Sequence, residues 1–170
     1  SPEDAVHTSV KMLDALRLYN KERIQEGNNP ILIGIGVNTG KMMLGTLGES
    51  DRMEGSVISD AVNLAARLEG LTKLYKTPLL LSEETLLKIG DSIFDTRLVD
   101  KVAVKGKENP VMIYEVLNGE SSDLIEAKIS SLPNFRKGFE LYQNQQFENA
   151  LDFFKKCLEK VPEDGVAELY

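Results

Sequence analysis

One cysteine and one histidine are all that the 170-residue chain offers to a disulfide or a soft metal. The single Cys157 excludes a disulfide framework within one chain, in keeping with a reducing cytoplasm. His7 has no Cys or second His to join it, so a solvated or half-buried side chain is expected rather than a metal ligand. No apolar run approaches the ~20 residues needed to cross a bilayer, and no signal peptide opens the chain. A soluble, cytoplasmic chain without a membrane segment is therefore expected. The net charge is −7 and the basic residues form no stripe, which argues against nucleic acid as a partner. Gly40, Gly45 and Gly48 are spaced like a phosphate loop, but the Gly-Lys-Ser/Thr of a P-loop is missing and no helix follows directly. A phosphate loop is therefore not expected there.

What is present is a globular composition. At 42% hydrophobic, the chain can bury a core, and one medium domain with an appendage is the natural expectation. Ser1-Pro2-Glu3-Asp4 is a helix start: a serine cap, proline at the first helical position and two acids facing the helix dipole. A helix of about six turns should follow, buried through Val6, Val10, Leu13 and Leu16 and stopped at Gly27-Asn28-Asn29-Pro30. Residues 31–37 alternate large apolar residues with Gly34 and Gly36 and read as a central strand. Residues 41–48 read as a short second strand. After the break at Lys76-Thr77-Pro78, residues 79–81 make a buried strand. Ser82 then caps a helix that Gly90 closes. Residues 94–104 and 111–116 read as a hairpin around a polar loop.

The most informative stretch is 51–70, a strand, a turn and a helix start. Leu64, Leu68, Leu71 and Tyr75 form an apolar stripe that seats the helix on a core. Asn63 and Arg67, four apart, project together from a neighbouring face. An amide beside a fixed cation suits a nucleotide, the amide orienting a sugar and the guanidinium meeting a phosphate. Taken alone, such a pair is far more often an ordinary polar helix face.

The whole run from Arg52 to Glu69, extended backward through residues 33–40 and forward through 104–116, resembles class III adenylate and guanylate cyclases. The resemblance covers residues 1–118. It implies an α/β sandwich of ferredoxin-like type, truncated at its N-terminal side. It further implies that Asn63 holds the ribose, that Arg67 offsets charge developing on the α-phosphate and that Lys105, or alternatively Lys107, grips the terminal phosphates. Lys105 and Lys107 could otherwise be charges of a turn that discourages edge pairing. Ser56 falls on a purine-selecting position, where a hydroxyl resembles adenylate cyclases and favours ATP over GTP. The family uses two divalent ions, Mg2+ or Mn2+, held by aspartates that would precede this chain. Asp51, Glu54 and Asp60 match no ligand position. A homodimer is implied, with metals from one subunit and the Asn63/Arg67 helix from the other, so this chain alone is expected to be inactive. A non-catalytic dimerisation module is the alternative.

Residues 119–134 read as a polar linker holding one short helix. Beyond it, in residues 135–170, Gly138, Phe147, Ala150, Phe154, Cys157 and Pro162 fall at the spacings of one tetratricopeptide repeat. A free helical hairpin is the simpler alternative. One repeat cannot bury its own face, so this unit should pack on the cyclase-like part, on a second chain or on sequence outside this one, and it could receive a protein partner.

Overall fold

A computed structural model describes residues 1–47, 54–58, 60–90, 93–103 and 110–170; for the strands at 43–47 and 54–58 it describes the backbone alone. Helix α1 (Pro2–Gln25) opens on the expected cap. Ser1 accepts from the Asp4 amide, Asp4 reaches back to the Ser1 amine, and Gly27 at φ +80° ends the helix. Strands β1 (Ile35–Val37), β4 (Leu79–Ser82), β6 (Val111–Val116) and β5 (Thr96–Val102) form one sheet in that order, with β1 parallel to β4 and the other pairs antiparallel. Strands β2 (Met43–Leu47) and β3 (Glu54–Ile58) make a separate antiparallel pair. Helix α2 (Asp60–Tyr75) follows β3, and α3 (Glu83–Ile89) is capped by Ser82 and closed by Gly90 at φ +81°.

The sheet separates two cores because successive strand residues point to opposite faces. Leu79 and Leu81 face α1 and α3 with Val6, Leu13, Leu86 and Ile89. Leu80, Val99 and Ile113 face α2 and the C-terminal helices, with Leu64, Leu68, Tyr75, Phe135 and Phe154.

Two expectations change. Among the described residues, the stretch read as a central strand pairs with β4 alone and lies at the sheet edge, and Leu32 ahead of it is 88% exposed. The glycines were read for the right reason. A Cβ on Gly36 would overlap the Ala65 carbonyl and the Glu69 amide of α2, and one on Gly34 would overlap the Thr72 hydroxyl. The segment read as a linker is instead helical. After a short 3-10 turn (Leu117–Gly119), α4 (Ser122–Gln143) runs unbroken through Pro133, because Lys128 and Ser131 turn inward and find buried partners.

Helix α5 (Phe147–Lys160) folds back antiparallel on α4, Cys157 meeting Ser131 and Phe147 meeting Tyr142, and α6 (Gly165–Leu169) follows. Gly138 permits this approach: a Cβ there would lie 3.1–3.2 Å from Phe154 and Phe153. Cys157 is buried, which pushes its thiol up to about 11, a structural rather than reactive setting.

Candidate active site

Helix α2 carries the site, and its seat is fixed from both ends. Leu64, Leu68, Thr72 and Tyr75 are buried and Leu71 packs partly against them, the stripe read from sequence. At the N-terminal end, Asn38 donates to the Ala61 carbonyl (2.9 Å) and accepts from the Ser82 hydroxyl (2.6 Å). Thr85 adds contacts to Thr39 (3.1 Å) and the Val37 carbonyl (3.5 Å). This polar bracket ties the start of α2 to β1, β4 and α3. Asn38 was missed as a site-building residue; its sequence signal was an amide directly after a strand, a position that favours local backbone bonding.

Asn63 and Arg67 are the fourth and eighth residues of α2, so Arg67 lies about two turns past the helix start and one turn beyond Asn63. Both are exposed, each directly ahead of a buried leucine, Leu64 and Leu68. Arg67 Nη1 donates to the Ala103 carbonyl (2.7 Å), just past the end of β5. Ala103 leads into residues 104–109, and Lys105 and Lys107 lie outside the described residues. Ser56 pairs in register with Gly45 in the β2–β3 ribbon, and its side chain is likewise outside the description. The structure thus brings Asn63 and Arg67 onto one exposed helix face, with Arg67 anchored to Ala103, the last described residue before 104–109.

Among the described residues no group of three or more His, Cys, Asp or Glu could hold a metal ion. These residues do not fit a two-ion site. His7 contacts the Phe94 ring edge-on (4.7 Å) and lies 3.7 Å from Glu3 on a half-exposed face. No helix among the described residues is long and apolar enough to cross a membrane.

Residues 2–118 match the model of the adenylate and guanylate cyclase catalytic domain. The chain belongs to this cyclase family. An adenylate cyclase of Dictyostelium discoideum, terminal-differentiation specific, is 38% identical over 169 residues; the match takes in 98% of this chain but 8% of that protein. An adenylate cyclase of Anabaena cylindrica is 41% identical over 118 residues, 66% of this chain and 24% of the relative. The chain therefore spans a small part of the curated relatives it matches. Among solved structures, the adenylyl cyclase CyaB from P. aeruginosa superposes with a TM-score of 0.55 at 32% identity, over 66% of this chain and 56% of that one. A guanylyl cyclase superposes with a TM-score of 0.54 at 34% identity over the same shares. The cyclase domain thus has neighbours of both nucleotide types, and the Dictyostelium match continues past residue 118 through the helical tail.

Proposed function

We propose that this chain supplies the substrate-orienting half of an adenylate cyclase site, which makes cyclic AMP from ATP with release of pyrophosphate. One observation carries the reading. Asn63 and Arg67 share the exposed face of a helix whose opposite face is locked onto the sheet, so the backbone that presents the two polar groups is already ordered. In the reaction the ribose 3′-oxygen bonds to the α-phosphorus and the bond to the bridging oxygen of pyrophosphate breaks. Asn63 orients the ribose, Arg67 offsets the charge that grows on the α-phosphate, and Lys105, with Lys107 as alternative, holds the leaving pyrophosphate. Ser56 contacts the purine and favours adenine.

The Mg2+ or Mn2+ ions that the family implies need ligands outside this chain, from aspartates ahead of Ser1 in the partner subunit of a homodimer. On this reading the cyclase domain occupies residues 1–118, and the chain by itself turns over no ATP. The helical tail of residues 135–170 is a tetratricopeptide-like unit.

A second reading is a non-catalytic cyclase-like module that dimerises and presents the tail to a protein. The exposed Phe147 and Leu151 on α5, at 56% and 44%, favour it. Assaying the full-length protein with ATP decides between the two. Cyclic AMP formation that is lost in Asn63→Ala supports the cyclase, and no product with an intact dimer supports the module.

A further inference from the structure

The C-terminal helices share one core with α2 and the sheet, so they are no loosely tethered appendage. Strand β5 is where they meet the site. Along residues 97–103 its contacts pass from the tail, at Arg97 and Val99, to α2, at Asp100 and at Ala103 just past the strand end. Arg97 forms a two-pronged pair with Asp164, Nη1 to Oδ2 at 2.6 Å and Nη2 to Oδ1 at 2.8 Å. The β5–β6 register shifts between Leu98 and Asp100, and the Val99 carbonyl at that shift accepts from the Tyr170 hydroxyl (2.8 Å). Asp100 accepts from the Tyr75 hydroxyl of α2 (2.5 Å), and the Ala103 carbonyl accepts from Arg67. The tail also presses on the end of α2 directly. A Cβ on Gly165 would lie 2.7 Å from the Tyr75 carbonyl and overlap Lys76, while Lys76 pairs with Glu168 (2.6 Å).

The attachment is charged and buried. Arg97 also binds Glu115 (Nε, 2.9 Å), Lys128 of α4 binds Glu115 (2.6 Å), Thr77 donates to Glu115 (2.8 Å), and the Arg97 guanidinium lies 4.4 Å from the Phe135 ring centre. Arg97, Glu115, Lys128 and Asp164 are each at most 3% exposed. Opening one pair strands a buried charge, so the docked state is close to all-or-none. An all-or-none contact on a strand that runs directly into Arg67's anchor at Ala103 can transmit position rather than stability alone.

We propose that the C-terminal helices clamp β5 against α2, making Asp164, through Arg97, and Tyr170, through the Val99 carbonyl, positioning residues for Arg67. The inference rests on the cyclase reading for its catalytic consequence, but the clamp itself is a property of the fold. A protein or modification that lifts the tail lowers turnover without touching nucleotide.

The test uses the full-length enzyme with Tyr170→Phe, which removes one hydroxyl while keeping the ring stacked on Phe154 (5.2 Å), and Asp164→Asn as the second variant. At a temperature where melting curves show each variant folded, kcat should fall about five- to twentyfold with KM for ATP within about twofold. In an Arg67→Ala background the same substitution should change kcat less than about twofold, because both act through one group. Amide exchange across residues 60–75 and 97–103 should quicken in Tyr170→Phe. Unchanged exchange overturns the clamp even if the wild type makes no cyclic nucleotide, an outcome that would sink the cyclase reading alone. In an active wild type, a normal kcat in Tyr170→Phe, or losses that simply multiply with Arg67→Ala, overturns the proposal.

Discussion

Arg67 donates to the carbonyl oxygen of Ala103 at 2.7 Å, joining the exposed face of α2 to the strand end from which residues 104–109 depart. One guanidinium can hold this anchor while its remaining N–H groups face a phosphate, which the compact ammonium of lysine cannot do as well. Arg67→Ala in the full-length protein should lower kcat by roughly two to three orders of magnitude with a smaller change in KM. Arg67→Lys should recover little of it. Because Arg67 is exposed, melting temperatures should shift only slightly in both, and steady-state rates beside thermal melts check the pair of expectations.

Close packing of α2 on β1 yields a second prediction. Gly36→Ala places a methyl group into the Ala65 carbonyl and Glu69 amide, backbone atoms that cannot swing aside, and 2.9 Å from Leu68 Cβ. It should cost roughly 1–3 kcal/mol and reduce activity by displacing the helix. Gly70→Ala, on the exposed side of α2 with nothing within 4 Å of the new methyl, should stabilise by about 0.5–1 kcal/mol. Denaturant titrations of the two variants should move in opposite directions.

The buried charge cluster sets the acid limb of stability. Burial opposes the charged form of Glu115, but Arg97 and Lys128 outweigh it and hold its carboxyl below the ordinary range. Asp164 is likewise held low, the Arg97 hydrogen bonds overcoming burial. For carboxyls depressed in this way the stabilisation is full above the unfolded-state values, about pH 4 to 4.5, and is lost as pH falls from there toward the folded values. Burial disfavours the Lys128 ammonium, yet Glu115 and Glu120 raise its pKa, so its share persists below its unfolded value of about pH 10.5. Stability should therefore stay level across neutral pH and drop steeply below about pH 4.5. Glu115→Gln should flatten the acid slope while lowering stability at neutral pH, since it leaves Arg97 and Lys128 under-compensated. Thermal melts across the pH range read both effects.

Much of the fold was legible because its signals are local. The Ser1 cap, Gly27 and Gly90 as left-handed terminators, the leucine stripe of α2 and the β5–β6 hairpin each depend on neighbours in sequence. The helix through residues 122–143 was not legible in this way. Its polar composition reads as a linker until Lys128 is seen to reach Glu115, and such a pairing has no local mark. One signal was present: Glu115 continues the inward alternation of Val111 and Ile113, and Arg97 sits opposite it in register. A charge at an inward strand position calls for a buried counter-charge. Of the site, Asn63 and Arg67 could be placed on one face from helical spacing alone. The bond from Arg67 to Ala103 spans 36 positions and had no sequence signature.

The proposed contact of Ser56 with the purine makes a prediction about substrate choice. The full-length protein should turn over ATP in clear preference to GTP, measured as the ratio of kcat/KM for the two nucleotides. A hydroxyl both donates and accepts, so Ser56→Cys should narrow the ratio without abolishing turnover of ATP. Comparable rates with both nucleotides in the wild type would contradict the assignment.

The central claim, that this chain is the substrate-orienting half of a two-chain site, is tested most directly by complementation. The chain is titrated into full-length protein that keeps its upstream aspartates but carries Arg67→Ala, so that neither species completes a site alone. Light scattering follows formation of the mixed dimer while cyclic AMP is measured. One working site per mixed dimer should appear, with product formation rising with added chain until pairing saturates. If the mixed dimer forms and activity stays at the level of the Arg67→Ala protein, Asn63 and Arg67 do not serve a shared active site.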